Sequence, residues 1–232
     1  MARLFLLRHL KSQWNEDNRF AGWVDNPLSK KTAAANAKMV ADKLINVYKS
    51  NIDVMYSSSL IRNVETILRI YENIVDKYPL FIHMDGGKMQ KWGNFTDISQ
   101  NDVPVYVTEN LNERYYGKMQ GLDKGEAIKQ YGADEIQNQR RAYLHRPPGG
   151  ESLKDVYNRA VPLFKKYVGR DLTSGKNVMV VASHNTLRAI VKYIEQVSDA
   201  DIKNVELPFG SLMSYDFDDK LVLTSKKYYD LQ

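Results

Sequence analysis

The chain has 232 residues, 43% of them apolar and 26% charged, enough to bury a sizeable core in one soluble domain. It has no cysteine, which excludes disulfides, a thiolate nucleophile and cysteine-based metal sites. The net charge of +5 comes from scattered Lys and Arg with no basic stripe among the aromatics, and no apolar run approaches the ~20 residues of a membrane span. No nucleic-acid or membrane partner is therefore expected. Arg3 and the short apolar run behind it lack a secretory cleavage pattern, so a cytoplasmic location is expected.

Leu4 to Leu7 reads as a buried strand that ends in Arg8-His9, with Ser12 and Asn15 close behind. Ligand-binding groups collect at the carboxyl ends of strands in open α/β sheets. On local pattern alone, His9 is open between a structural and a catalytic histidine, and Arg8 between a surface ion pair and an anion contact. Ser29 reads as the N-cap of a helix whose apolar positions run from Ala33 through Ala37, Val40, Ala41 and Leu44 to Tyr48. A second strand is expected over Ile52 to Tyr56. Arg62 falls in the first turn of the helix after it, beside a strand end.

Residues 80–83 read as a brief strand, and 84–110 as an extended insertion that could cover a site. Leu111 to Gly121 is a second dense polar segment containing Glu113, Arg114 and Tyr116. Lys124 opens a helical stretch, and Arg140-Arg141 form an adjacent pair suited to forked hydrogen bonds with an anion. After the breaker cluster Arg146 to Gly150, a helix follows in which Pro162 is a kink candidate. Val178 to Ala182 is the clearest buried strand, and it runs into Ser183-His184-Asn185. His184 thus repeats the opening arrangement of strand, histidine and helix. Adjacent parallel strands would bring His9 and His184 into one crevice. No His-x-x-x-His pair or acidic cluster suggests a metal site. Residues 198–208 suggest a short polar helix, followed by strands over 212–217 and 221–224.

Several of these segments together resemble the 2,3-bisphosphoglycerate-dependent phosphoglycerate mutases of the histidine phosphatase superfamily. They are Arg8-His9-x-x-Ser12-x-Trp14-Asn15, Gly22-Trp23-Val-Asp25-x-Pro-Leu-Ser29 and Leu111-Asn-Glu113-Arg114-x-Tyr116-Gly117-x-x-Gln-Gly121. Arg140-Arg141, Gly150-Glu-Ser-Leu153 and His184-Asn185-x-Leu-Arg188 complete the set. The resemblance spans residues 3 to about 217 and implies an α/β three-layer sandwich, with a mostly parallel sheet and helices on both faces. It implies one mutase-like domain over 1–232. It also implies phosphoryl exchange between 2- and 3-phosphoglycerate, primed by 2,3-bisphosphoglycerate and requiring no metal. Partners would be small phosphorylated three-carbon acids, and a homo-oligomer is compatible.

By the same resemblance His9 would carry the phosphoryl group. Arg8, Asn15, Arg62 and His184 would surround it, and Glu113 would transfer the proton. Gly22, Arg114, Tyr116, Lys124, Arg140, Arg141 and Asn185 would contact substrate, with Ser12 as a hydroxyl beside the phosphate. The competing readings are a histidine phosphatase of broader specificity and a non-catalytic anion-binding relative. The second basic cluster separates mutase from phosphatase. Two departures stand out. Leu10 replaces a family glycine and would crowd the phosphate, and His184 and Asn185 are adjacent where the family has a residue between them, which would misplace Asn185.

Overall fold

The computed structural model describes residues 2–49, 51–218 and 220–230. Its core is a seven-stranded sheet in the order β3-β4-β2-β5-β1-β6-β7. The strands are β1 (Ala2–Arg8), β2 (Val54–Ser58), β3 (Tyr78–His83), β4 (Asp102–Thr108), β5 (Val178–Ala182), β6 (Leu212–Phe217) and β7 (Leu223–Tyr229). From β3 to β1 every pairing is parallel, and β6 then pairs antiparallel with both β1 and β7.

The sheet is covered on both faces, which is why its strands read as unbroken apolar runs rather than as alternations. Phe5 and Leu7 of β1 point to one face. There they meet α2 (Ala33–Tyr48) and α3 (Ile61–Tyr71) through Ala37, Val40, Leu44, Ile67 and Ile70. Leu4 and Leu6 point to the other. There they meet α7 (Leu153–Leu163) and α9 (His184–Glu195) through Ala160, Leu187, Ile190 and Val191. This is the expected three-layer α/β sandwich. Past α7 the chain continues as a π-turn over Phe164–Val168 and α8 (Gly169–Thr173), just beyond Pro162. Helices α5 (Lys124–Tyr131) and α6 (Ala133–Arg141) close a smaller cluster of Phe20, Met119, Ala127 and Ile136. No helix among the described residues is long and apolar enough to cross a membrane.

Several expectations are corrected. Ser29 does not cap α2: its Oγ accepts from Lys31 N at 3.3 Å, and Thr32 holds the N-cap position without a side-chain bond. The second strand begins at Val54 and runs to Ser58. The excursion after β3 ends by residue 101, because Asp102–Thr108 is a strand with Val103, Val105 and Val107 turned into the core. Pro104, which counts against a strand in sequence, pairs across to Leu80 there. The remaining excursion carries the short helix α4 (Lys88–Trp92) and lines no part of the cavity described below. The last expected strand is shifted and longer: β7 runs from Leu223 to Tyr229 along β6. The stretch after α9 forms only a 3-10 turn over Asp201–Asn204, with Ser198 Oγ accepting from Asp201 N at 3.0 Å.

Leu10 is also corrected. It is fully buried among Phe5, Leu7 and Leu28, on the face covered by α2, and turns away from the cavity. Its amide donates to Thr66 Oγ1 at 3.0 Å. Its φ is outside the left-handed region, so no glycine is required there. The side chain is core. Leu10→Ala should therefore cost about 3 kcal/mol of stability by urea unfolding, with the m value unchanged. A loss below about 1 kcal/mol would contradict this placement.

Candidate active site

Strands β1 and β5 are neighbours, and Arg8 is in register with Ala182. His9 N continues the ladder by donating to Ala182 O at 3.2 Å. The residues that follow each strand therefore meet at one edge: His9 after β1, and His184 as the first residue of α9. His9 is buried, and its Nδ1 lies 2.6 Å from Leu10 O. A carbonyl only accepts, so Nδ1 carries the proton and Nε2 the lone pair. Burial, then the charges of Arg62 and Arg8, push the His9 pKa well below its ordinary value, against the pull of the Leu10 bond. The imidazole is thus held neutral with one nitrogen primed as a nucleophile. His184 is pushed down to about 4 by burial, with Arg8 and Arg188 adding to it and Glu206 opposing.

Two arginines flank His9. Arg62 is fully buried, and its Nη2 and Nη1 donate to Gly22 O at 2.7 Å and Val24 O at 3.0 Å. Gly22 has φ +50°, and a Cβ there would collide with Gln120. Arg8 donates to Leu207 O and stacks 3.7 Å from the Phe209 ring centroid. Burial lowers both guanidinium pKa values to about 10, so both stay charged at neutral pH. In both, Nε is buried without a partner. Ser12 caps α1 (Gln13–Glu16), and its Oγ donates to Asn15 Oδ1 at 2.8 Å. That bond leaves the Asn15 amide NH2 as the group available to the cavity.

Glu113 follows a 3-10 turn at Glu109–Leu111. Its carbonyl accepts from Trp23 Nε1 at 2.6 Å and Arg159 Nη2 at 2.9 Å. Arg159 also donates to Asn110 O at 2.9 Å and pairs with Glu151 at 2.9 Å, so it braces the turn from outside the cavity. The carboxylate accepts from Arg114 N at 2.6 Å and Asn185 N at 3.3 Å. The second of these belongs to the N-terminal turn of α9, where a negative charge is favoured. Burial alone would raise the Glu113 pKa. His184, the two amides and Arg114 outweigh it, and the pKa is lowered.

A second group of cations comes from α5 and α6. Lys124 opens α5 behind the Asp123 cap, which accepts from Gly125 N at 2.7 Å. Burial, then the charges of Arg140 and Arg8, bring Lys124 down to about 8. Arg140 and Arg141 end α6, where the helix carbonyls favour positive charge. Arg141 pairs with Glu206 Oε2. Glu206 Oε1 lies 3.1 Å from His184 Nε2, at ion-pair distance but without hydrogen-bond alignment.

Arg8, His9, Asn15, Gly22, Arg62, Glu113, Tyr116, Lys124, Arg140, Arg141 and His184 all line one cavity of about 200 Å³. Its six cations outnumber two carboxylates, so it is an anion site, with Arg8 and Arg62 supplied by β1 and α3 and Lys124, Arg140 and Arg141 by α5 and α6. Three expected residues stand behind the wall. Ser12 is used in capping. Arg114 is buried, donating to Tyr116 Oη at 3.3 Å and Arg140 O at 3.2 Å. Asn185 donates to Tyr116 Oη at 3.1 Å and accepts from Arg188 at 2.9 Å, a rear brace rather than a wall residue. Sequence reading missed Arg19, Glu206 and Phe209. Arg19 lies 4.3 Å over Trp14 and donates to Gly121 O at 2.7 Å, within a stretch that reads only as loop. Among the described residues, no group of three or more His, Asp or Glu side chains could hold a metal ion.

The family model for the histidine phosphatase superfamily (branch 1) matches residues 4–94 and 94–227. The chain is 43% identical to a 2,3-bisphosphoglycerate-dependent phosphoglycerate mutase of Methanococcus vannielii, over 99% of this chain and 98% of that one. It is 37% identical to a protein of the same name from Gloeothece citriformis, over 97% and 98%. Among solved structures it is similar in fold to Bacillus stearothermophilus YhfR, with a TM-score of 0.73, 22% identity and coverage of 97% and 95%. A mycobacterial glucosyl-3-phosphoglycerate phosphatase superposes with a TM-score of 0.70 at 20% identity, over 98% and 96%.

Two pH effects follow. His184 is lowered from 6.5 to about 4, so between those values the unfolded chain binds more protons, and stability falls as pH drops. Acidification from about pH 7 to about pH 5 should remove roughly 2 kcal/mol through this residue. Denaturant unfolding should show the slope, and His184→Asn should reduce it. Lys124, at about 8, should lose its charge as pH rises further. A two-ended anion such as 2,3-bisphosphoglycerate, measured by calorimetry, should bind more weakly above about pH 8 in the native protein, and Lys124→Met should flatten that dependence.

Proposed function

The chain belongs to the 2,3-bisphosphoglycerate-dependent phosphoglycerate mutase family of the histidine phosphatase superfamily, and we propose that it interconverts 2- and 3-phosphoglycerate through a phosphohistidine on His9. One observation carries this reading. A neutral, buried imidazole with a free Nε2 shares one cavity with an ionised carboxylate and with two groups of cations from different elements. A site for simple hydrolysis needs only one such group. The unpartnered Arg8 and Arg62 Nε atoms and the Lys124–Arg140 group suit an anion with two charged ends. 2,3-Bisphosphoglycerate, when bound, supplies the phosphoryl group that primes His9.

His9 Nε2 attacks phosphorus and forms the N–P bond as the P–O bond of the donor breaks. The Leu10 carbonyl stabilises the positive charge that develops on the ring through Nδ1–H. Arg8, Arg62 and the Asn15 amide neutralise the equatorial oxygens, the chief demand of phosphoryl transfer. A dianion beside His184 raises its pKa from about 4, and the ring takes up a proton as the anion enters. Glu113, kept ionised, takes the proton from the accepting hydroxyl and returns it to the leaving oxygen in the reverse transfer. Lys124 and Arg140 hold the far end, and Tyr116, braced by Arg114 and Asn185, fixes the middle. The substrates are small phosphorylated three-carbon acids. A cytoplasmic location agrees with the cysteine-free composition.

A coupled assay of 2-/3-phosphoglycerate exchange, with and without 2,3-bisphosphoglycerate, beside a phosphatase assay tests the proposal. Exchange should depend on the bisphosphate and exceed hydrolysis. His9→Ala should form no phosphoenzyme, and Glu113→Gln should lower kcat about 10³-fold. Hydrolysis without exchange in the intact protein would overturn the mutase reading in favour of a phosphatase.

A further inference from the structure

The carboxylate of Glu206 has no task in the reaction above, yet it stands in the wall of an anion site. It comes from the segment after the Asp201–Asn204 turn, and each of its oxygens meets a different residue of the cavity wall. Oε2 pairs with Arg141, and Oε1 lies 3.1 Å from His184 Nε2 without hydrogen-bond alignment. Glu206 thus bridges Arg141 and His184. The segment is fastened on its far side: Leu207 O accepts from Arg8, and the Phe209 ring covers the Arg8 guanidinium at 3.7 Å. The Glu206 side chain itself is 47% exposed. It can therefore leave the cavity by rotation, without unpacking the core.

An anion on Arg141 and the Glu206 carboxylate exclude each other there. We propose that Glu206 is an internal competitor for Arg141, which the second anionic group of a ligand must displace from that guanidinium. This rests on the mutase reading, and it assigns Glu206 a part in selectivity and release. A two-ended anion meets the competitor. A lone phosphate, held by Arg8 and Arg62, meets Glu206 only through His184 and leaves the Arg141 pair in place. The competitor keeps Arg141 desolvated and positioned in the empty site, and it speeds departure of the ligand by returning to its cation.

The test is calorimetric binding of 2,3-bisphosphoglycerate and of inorganic phosphate to the full chain and to Glu206→Gln, which keeps the shape and removes the charge. The variant should bind the bisphosphate about tenfold tighter, and inorganic phosphate with a change below about threefold. Glu206→Ala should act in the same direction, and thermal melts check that both variants are folded. In an Arg141→Met background, the gain in bisphosphate affinity from Glu206→Gln should fall below about threefold, since the competition is chiefly for that guanidinium. Unchanged or weaker bisphosphate binding in both folded Glu206 variants would overturn the proposal. So would an equal gain for the two ligands. Native protein that binds neither anion would overturn the phosphoryl-transfer reading, and this proposal with it.

Discussion

The hydrogen bond from His9 Nδ1 to the Leu10 carbonyl is the contact on which the rest of the site depends. It decides which nitrogen is protonated and which can attack. It survives because His9 and Leu10 turn opposite ways at the end of β1. The imidazole enters the cavity while the leucine side chain joins the core under α2. The Leu10 amide, anchored on Thr66, holds the backbone between them. A leucine at this position therefore strengthens the support of the nucleophile rather than obstructing the site.

Around that bond the protein keeps several arginines buried without giving most of them carboxylate partners. Arg62 is held by Gly22 O and Val24 O, Arg8 by Leu207 O, and Arg188 by Arg141 O and Ile202 O. Carbonyls orient a guanidinium without neutralising it, so the charge remains available to an incoming anion. The cost is desolvation, visible in the lowered pKa values of Arg8, Arg62 and Lys124. Glu113 and Glu206 are the two carboxylates in the wall, and they differ in their ties. Glu113 is held by backbone amides, which fix its position for proton transfer, whereas Glu206 is held by cations that a ligand also uses.

Much of this could be read along the chain. The buried strands, the strand-histidine-helix repeats at His9 and His184 and the dense polar segment around Glu113 are local patterns, because apolar runs and polar clusters follow from burial at sheet edges. Other features resisted. The β4 strand was concealed by Pro104, whose cost depends on the neighbouring strands. Ser29, a good cap by residue type, lies one turn too early because the helix start is set by packing of Ala33 and Ala37. Arg114 and Asn185 are expected at the cavity wall, but both stand behind it and donate to Tyr116 Oη from the rear. Glu206 and Phe209 sit in a segment without periodicity, so no local signal marks them.

By itself the sequence determined the layered α/β architecture, the identity of the nucleophile candidate and the two basic groups, since these rest on residue type and on spacing along one strand or helix. The tertiary structure decided which nitrogen of His9 is free, where Leu10 points, which polar residues reach the cavity and which stand behind it, and that Glu206 closes onto Arg141. Each of these depends on contacts between segments far apart in the chain, such as the register of β1 against β5 and the return of residues 206–210 across Arg8. Spacing along a single segment carries no information about such contacts.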